Sequence, residues 1–253
     1  MNITVLVKQV PDTYSERTLR DDHRLDRDAA DAVIDEIDSR GVEIALQLVE
    51  AAGSGEVTVL TMGPERATET LRKALAMGAD RAVHVLDDGL AGADALTTSA
   101  VLAAAAGRSP FDLLIAGNEA TDGRTGSIPS MLAERLDLPA VTQVQKLSVS
   151  GGELRAERAD ETGYSEVTAP LPAVVSVTEK ITDPRYPNFK GLMAAKKKPI
   201  DTVTLADLGG APVAANVVGD ATPRPPRAAG EKVPDDGTGG QKIAEFLAAA
   251  RLI

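Results

Sequence analysis

Short β-branched and aliphatic runs recur through the first half of the chain, and stretches with helical spacing separate them. Residues 2–10 (NITVLVKQV) form an apolar run closed by Pro11 and predict a buried strand. The stretch from Tyr14 to Arg27 is polar and predicts a loop. Val42, Ala45, Leu46 and Val49 fall at i, i+3, i+4 and i+7 and predict a helix over 39–52, stopped by Gly53 and Gly55. EVTVLTMG (56–63) is the next strand. Pro64 opens a helix that Gly78 ends. RAVHVL (81–86) predicts a third strand, residues 94–106 an Ala-rich helix, and FDLLIAG (111–117) a fourth strand. A glycine-rich loop follows, then a helix through Met131, Leu132 and Leu136.

Strands apolar on both faces, alternating with helices, predict an α/β fold: a doubly wound, mostly parallel sheet of Rossmann-like type. Ligands on such sheets bind beyond the carboxyl ends of the strands. After Pro139 the pattern changes. KLSVS, Gly151-Gly152 and ELRAER read as a glycine-turn hairpin, followed by the strand GYSEVTAPLP. The hairpin region, 144–170, is expected to be an excursion from the sheet, which the Val-rich strand 172–180 rejoins. Residues 209–240 are rich in Gly, Pro and Ala and predict an extended C-terminal arm, a linker. This leaves one α/β domain over 1–208 and a closing helix over 241–253. In that helix Ile243, Phe246, Leu247 and Ala250 make one apolar stripe. So short a helix needs a docking surface. Its own domain and a partner protein both remain open as that surface.

Composition narrows the chemistry. The 253 residues carry 27 Lys and Arg against 38 Asp and Glu, a net charge of -11, which repels phosphate backbones and argues against a nucleic-acid binder. Cys is absent, which excludes disulfides, thiolate nucleophiles and Cys-ligated metal or iron–sulfur sites. The two histidines, His23 and His84, are far apart, so no metal site is expected. His84 reads as a satisfied core residue and His23 as a surface one. The start lacks a signal-peptide pattern and no apolar stretch reaches membrane-spanning length. A soluble, cytoplasmic protein is expected, without membrane insertion. Neither GxxxxGK[ST] nor GxSxG occurs. Gly53-Ser54-Gly55 precedes a strand rather than following one, and Thr58 stands where a dinucleotide fingerprint needs its third Gly.

Two segments carry information. AGNEATDGRTGSIPSMLAE (116–134) follows an apolar strand and opens a helix, with Ser127 suited to the N-cap and Pro129 to the first turn. Unpaired N–H groups at the helix start, Gly123 and Gly126 for close backbone approach, and Arg124 for charge favour a phosphate-binding loop over a long solvated loop with an ordinary cap. Without a P-loop lysine, a held monophosphate is expected rather than triphosphate chemistry. ITDPRYPNFKGLMAAKKKPI (181–200) is irregular. It places Phe189, in a chain with 2% aromatics, beside Asn188 and Lys190 as a candidate protein-contact anchor, the alternative being that Phe189 folds back onto its own sheet. Lys196, Lys197 and Lys198 read as a solvated face open to an acidic partner.

VLVKQVPDT (5–13), TMGPERATETLRKALAMGADRAVH (61–84), AGNEATDGRTG (116–126), LPAVVSVTEKITDPRYPNFKGLMAAKKK (171–198) and the closing helix together resemble the β subunit of electron transfer flavoproteins. The Thr-Asp-Gly loop and PDTYSER look most like the actinobacterial type. The resemblance implies an electron-transfer carrier subunit without independent catalysis, in a heterodimer with an α subunit that holds FAD. It implies a structural AMP in this chain, electrons taken from acyl-CoA and related dehydrogenases, and a membrane quinone oxidoreductase as acceptor. Within the family, a bifurcating complex with a second FAD in the β site is the rival. Outside it, the rival is a stand-alone nucleotide-binding regulatory domain. Carried onto this sequence, the AMP site falls at Leu6, Asp35, Asp38, Met62, Gly117, Asn118, Glu119, Ala120, Thr121, Asp122, Gly123, Arg124, Thr125, Gly126, Ser127 and Ile128. Dehydrogenase recognition falls in 184–195, at Tyr186, Asn188, Phe189, Lys190 and Met193, and Tyr14 faces the flavin side. The sequence departs from the family pattern at Phe189, where relatives commonly carry Leu. It departs also at Asp35, often Asn, and at Ala159, often Glu; Asp160 or Glu161 are the candidate substitutes there.

Overall fold

A computed structural model describes residues 1–210, 216–222, 224–227, 229–230 and 232–253. It divides into two units, Met1–Gly219 and Asp220–Ile253. Residues 211–215, 223, 228 and 231 of the expected linker lie outside the described residues.

The first unit is built on strands β1 (Asn2–Leu6), β2 (Gln9–Pro11), β3 (Ala32–Ile34), β4 (Glu56–Met62), β5 (Arg81–Val85), β6 (Leu113–Gly117), β7 (Ala140–Ser150), β8 (Glu153–Asp160), β9 (Gly163–Pro170), β10 (Ala173–Val177) and β11 (Ile200–Val203). Its helices are α1 (Glu36–Ala52), α2 (Thr68–Met77), α3 (Ala95–Ala106), α4 (Ile128–Leu136) and α5 (Phe189–Ala195). Among the described residues one nine-stranded sheet runs β11-β5-β4-β1-β6-β10-β7-β8-β9. From β11 to β7 every pairing is parallel, and β7-β8-β9 is antiparallel.

Alternation along the central strands gives each face its own core. Ile3, Val5, Leu113, Ile115, Val175 and Val177 pack with α1 and α2, while Leu6, Leu114, Ala116 and Val174 pack with α3 and α4. That is the doubly wound arrangement expected of strands buried on both sides. Among the described residues no helix is long and apolar enough to cross a membrane.

The short strands β3 and β11 and the helix α5, inside the stretch 181–200 expected to be irregular, go beyond the sequence expectation, and three further elements differ from it. The first strand ends at Leu6, because the next free N–H, that of Lys8, turns to Asp38 Oδ2 at 2.8 Å instead of a neighbouring strand. Residues 9–11 then pair antiparallel with β3, outside the main sheet. Helix α1 begins at Glu36 rather than Ser39: Asp35 caps it, its Oδ1 accepting from Ile37 N at 3.0 Å. The hairpin does not leave the sheet. β7 is eleven residues long; its first half pairs with β10 and its second half with β8, so the antiparallel strands extend the same sheet. A register shift beside Gln143, at φ 62, marks the change of partner. The Gly151-Gly152 turn is as expected, with both residues at positive φ.

The second unit contains α6 (Gly239–Ala249), with Ile243 and Phe246 exposed.

Candidate functional site

The carboxyl ends of the parallel strands gather most of the expected nucleotide-site residues. β1 ends at Leu6, β4 at Met62 and β6 at Gly117, and β1 lies between the other two. The loop 118–127 leaves β6 here and enters α4.

Two acidic side chains of α1 fasten this edge. Asp35 is fully buried. Its Oδ1 caps α1, and its Oδ2 accepts from Thr121 N at 2.7 Å and Thr121 Oγ1 at 2.8 Å. Asp38, one turn on, accepts from Lys8 N at 2.8 Å and Gly117 N at 3.2 Å. Burial, and next the Asp35 carboxylate, push the Asp38 carboxyl well above its ordinary value, against the pull of those N–H groups. Asp35, Asp38, Gly117 and Thr121 are therefore one hydrogen-bonded unit.

Asp122 anchors the middle of the loop. Its side chain is wholly buried, with Lys8 Nζ at 2.9 Å from Oδ1 and the Arg27 guanidinium against Oδ2. Burial raises its pKa, but Lys8 and then Arg27 outweigh that and hold it below the ordinary carboxylate value. Arg17 Nη1 donates to Thr121 O at 2.8 Å. These three cations were not among the sequence candidates. Lys8 was findable, because it follows the carboxyl end of the first strand. Arg17 and Arg27 sit in a polar loop whose pattern carries no signal for their contacts.

The rest of the loop is more open. Arg124 is largely exposed at φ 50, with Nη1 3.8 Å from Glu119 Oε1. Gly126 sits at φ 64, a conformation that strains any residue with a Cβ. Ser127 occupies the N-cap position of α4 but its hydroxyl makes no capping bond, contrary to expectation, because its backbone is already helical at φ -97, ψ -20. Pro129 is in the first turn as expected. Ile128 packs against the α3–α4 core. Asn118 Nδ2 reaches Gln143 Oε1 at 3.4 Å, while Asn118 Oδ1 is buried without a hydrogen-bond partner among the described residues. A buried orphan acceptor beside a Gly-rich loop fits a ligand that carries amino or hydroxyl donors, as a nucleotide does. Two shallow hollows, of about 160 and 300 Å³, lie elsewhere, one beside β2–β3 and one between α1 and β7.

The expected recognition residues lie on and before α5. Tyr186 and Phe189 are 95% and 79% exposed, so Phe189 does not fold back onto its own sheet. Asn188 caps α5, accepting from Gly191 N at 2.8 Å. Lys190 is exposed and Met193 is half exposed. Lys196 and Lys197 are solvated, but Lys198 is not: its Nζ donates to Leu75 O, Gly78 O and Ala79 O. Burial lowers its pKa. Tyr14 is 96% exposed. His84 is buried in the core, with Nε2 2.9 Å from Gly63 O, and His23 is half-buried.

The fold and the position of its loop define a doubly wound α/β protein with a candidate site at the carboxyl edge of the sheet. The family model of the electron transfer flavoprotein domain matches residues 23–208. The chain is 52% identical to the electron transfer flavoprotein subunit beta of Mycobacterium tuberculosis, over 100% of this chain and 99% of that one. It is 38% identical to the subunit of the same name in Bacillus subtilis, over 82% of this chain and 80% of that one. It is also 36% identical to the caffeyl-CoA reductase-Etf complex subunit CarD of Acetobacterium woodii, over 85% and 82%. The chain belongs to the electron transfer flavoprotein β-subunit family, and its role is in electron transport as part of a flavoprotein.

Proposed function

We propose that this chain is the scaffold subunit of a heterodimeric electron transfer flavoprotein, holding a structural AMP at the carboxyl edge of its sheet. The observation that carries the reading is the loop 117–128 itself. It is pinned by Asp35 and Asp38, and it combines Gly126 at positive φ with an Asn118 Oδ1 that has no hydrogen-bond partner among the described residues. Asn118 and the backbone from Gly123 to Ser127 would hold the nucleotide, with Arg124 near the phosphate. Leu6 and Met62, at the ends of neighbouring strands, would border it.

Redox chemistry in this reading belongs to FAD on the α subunit, with Tyr14 at the flavin-side interface. Residues 184–195 meet acyl-CoA and related dehydrogenases, with Phe189 as the apolar anchor, and a membrane quinone oxidoreductase takes the electrons onward. The full-length similarity to β subunits supports the heterodimer. Co-expression with the α subunit tests the assignment. The expected result is one stable heterodimer whose flavin absorbance is lost when the α subunit is omitted; a flavin retained by this chain alone overturns it.

A further inference from the structure

We infer that the segment around α5 is a pre-formed docking platform, held at both ends by a cationic clamp of Arg185 on α1 and of Arg72 with Lys198 on α2. The clamp sets the affinity for the electron-donating dehydrogenase. This rests on the reading of 184–195 as the partner-facing segment.

At the amino end, the Arg185 fork spans two carboxylates. Nε lies 2.7 Å from Glu43 Oε2, Nη2 3.0 Å from Glu43 Oε1 and Nη1 2.7 Å from Glu50 Oε1. The Arg185 backbone N–H also donates to Glu43 Oε2, at 3.1 Å. One turn earlier on α1, Arg40 Nη1 donates to Thr182 O at 2.6 Å and Asp183 Oδ1 at 2.7 Å. Glu43 keeps only 6% of its side chain exposed, so this is not a loose surface pair. A bidentate fork on a buried carboxylate is both strong and directional.

At the carboxyl end, Arg72 Nη1 donates to Ala195 O at 2.6 Å and Lys198 O at 2.8 Å. Lys198 returns the contact: its Nζ donates to Leu75 O and Gly78 O at 3.1 Å and to Ala79 O at 2.6 Å. Those carbonyls lie in the last turn of α2 and just past its end, where a helix leaves acceptors unpaired and a cation is favoured. Between the two ends α5 lies directly on α2. A Cβ at Gly191 would stand 2.5 Å from Ala76 O, so this approach needs glycine.

Seven residues are too few to hold a helix in water, so the clamp, not the helix, fixes this geometry. The clamp leaves Tyr186, Phe189, Leu192 and Met193 outward on a pinned backbone, with Lys190, Lys196 and Lys197 exposed around them. The matching surface is an apolar pocket rimmed by carboxylates. Exposed apolar anchors held in place before contact need no ordering on association, which is where pre-organisation adds affinity.

The test uses the purified αβ complex as electron acceptor and an acyl-CoA dehydrogenase reduced by its acyl-CoA. Arg185→Ala and Arg72→Ala each raise the KM for the complex about tenfold, with kcat changed less than about twofold. Arg185→Lys keeps the charge but not the fork and recovers only part of the loss. Trypsin cleavage after Lys190 quickens about tenfold in Arg185→Ala, while flavin and nucleotide content stay at one per heterodimer. If Arg185→Ala does not assemble, Glu50→Gln loosens the exposed half of the fork and raises KM about threefold. Unchanged kinetics in Phe189→Ala overturn the reading of the segment itself. A slowed Phe189→Ala with normal KM in the clamp variants, or a loss confined to kcat, overturns the clamp alone.

Discussion

Thr121 gives both its backbone N–H and its hydroxyl to Asp35 Oδ2, at 2.7 and 2.8 Å, while the other oxygen of the same carboxylate caps α1. The loop that follows β6 and the start of α1 are thereby one unit. A helix that packs on the sheet core thus fixes a loop that propensity alone would leave open.

Replacing Asp35 with Ala removes the cap, worth about 1 kcal/mol, and leaves the Thr121 N–H without its acceptor, at about 1–3 kcal/mol. Thermal unfolding of the complex, followed by circular dichroism, should show Tm lower by about 5–15 °C. A shift within 1 °C of the unaltered protein, about the scatter of such melts, would mean that the Asp35 contacts carry little.

Gly126→Val places a β-branched residue at φ 64, at a cost of about 1–2 kcal/mol in loop strain. Nucleotide recovered per mole of purified complex should fall while the far-ultraviolet spectrum stays native. Full occupancy would remove Gly126 from the ligand-binding stretch.

Acid should weaken the fold through Glu43 and Asp122. Burial pushes both carboxyls upward, but Arg185 and Gln47 on Glu43, and Lys8 and Arg27 on Asp122, bring each below its ordinary 4.5 and 3.8. A folded-state pKa below the unfolded one means stability that is complete above those values and lost as pH falls through the lowered ones. Asp38 has the opposite sign, its raised pKa favouring the fold on the acid side. In Glu43→Gln the decline of Tm between pH 5 and 3 should be shallower than in the unaltered protein. An identical slope would show that the Arg185 pairing does not stabilise the ionised form.

Deleting residues 241–253 removes all of α6 but its first two residues, including the exposed Ile243 and Phe246. If the stripe docks on the α subunit, the heterodimer should dissociate at higher protein concentration than the full-length complex in analytical ultracentrifugation. Unaltered dissociation would assign the helix another role.

The order of the central strands and of α1 to α4 was legible because β1, β4, β6 and β10 are apolar on both faces and each of those helices ends at a glycine or opens at a proline; α5 and β11 carry no such marks and were not read. Boundaries failed where a side chain claimed a backbone group: Asp38 takes the Lys8 N–H and ends the first strand, and Asp35 starts α1 three residues early. The hairpin was readable from its Gly-Gly turn, but its place in the sheet was not, since the change of partner within β7 depends on one residue at positive φ. The glycine loop announced itself by composition. Its supporting cations did not, because the Lys8, Arg17 and Arg27 contacts with the loop are 95–114 positions apart in sequence. Lys198 was misread for the same reason: within a run of three lysines, nothing local marks the one that caps a distant helix.

The central claim is that this chain holds an adenylate for structure while its companion holds the flavin. Denaturing the co-purified heterodimer and weighing the released nucleotides tests it most directly. One AMP and one FAD per heterodimer is the predicted result. Two FAD and no AMP, or a nucleoside triphosphate in place of AMP, would contradict it.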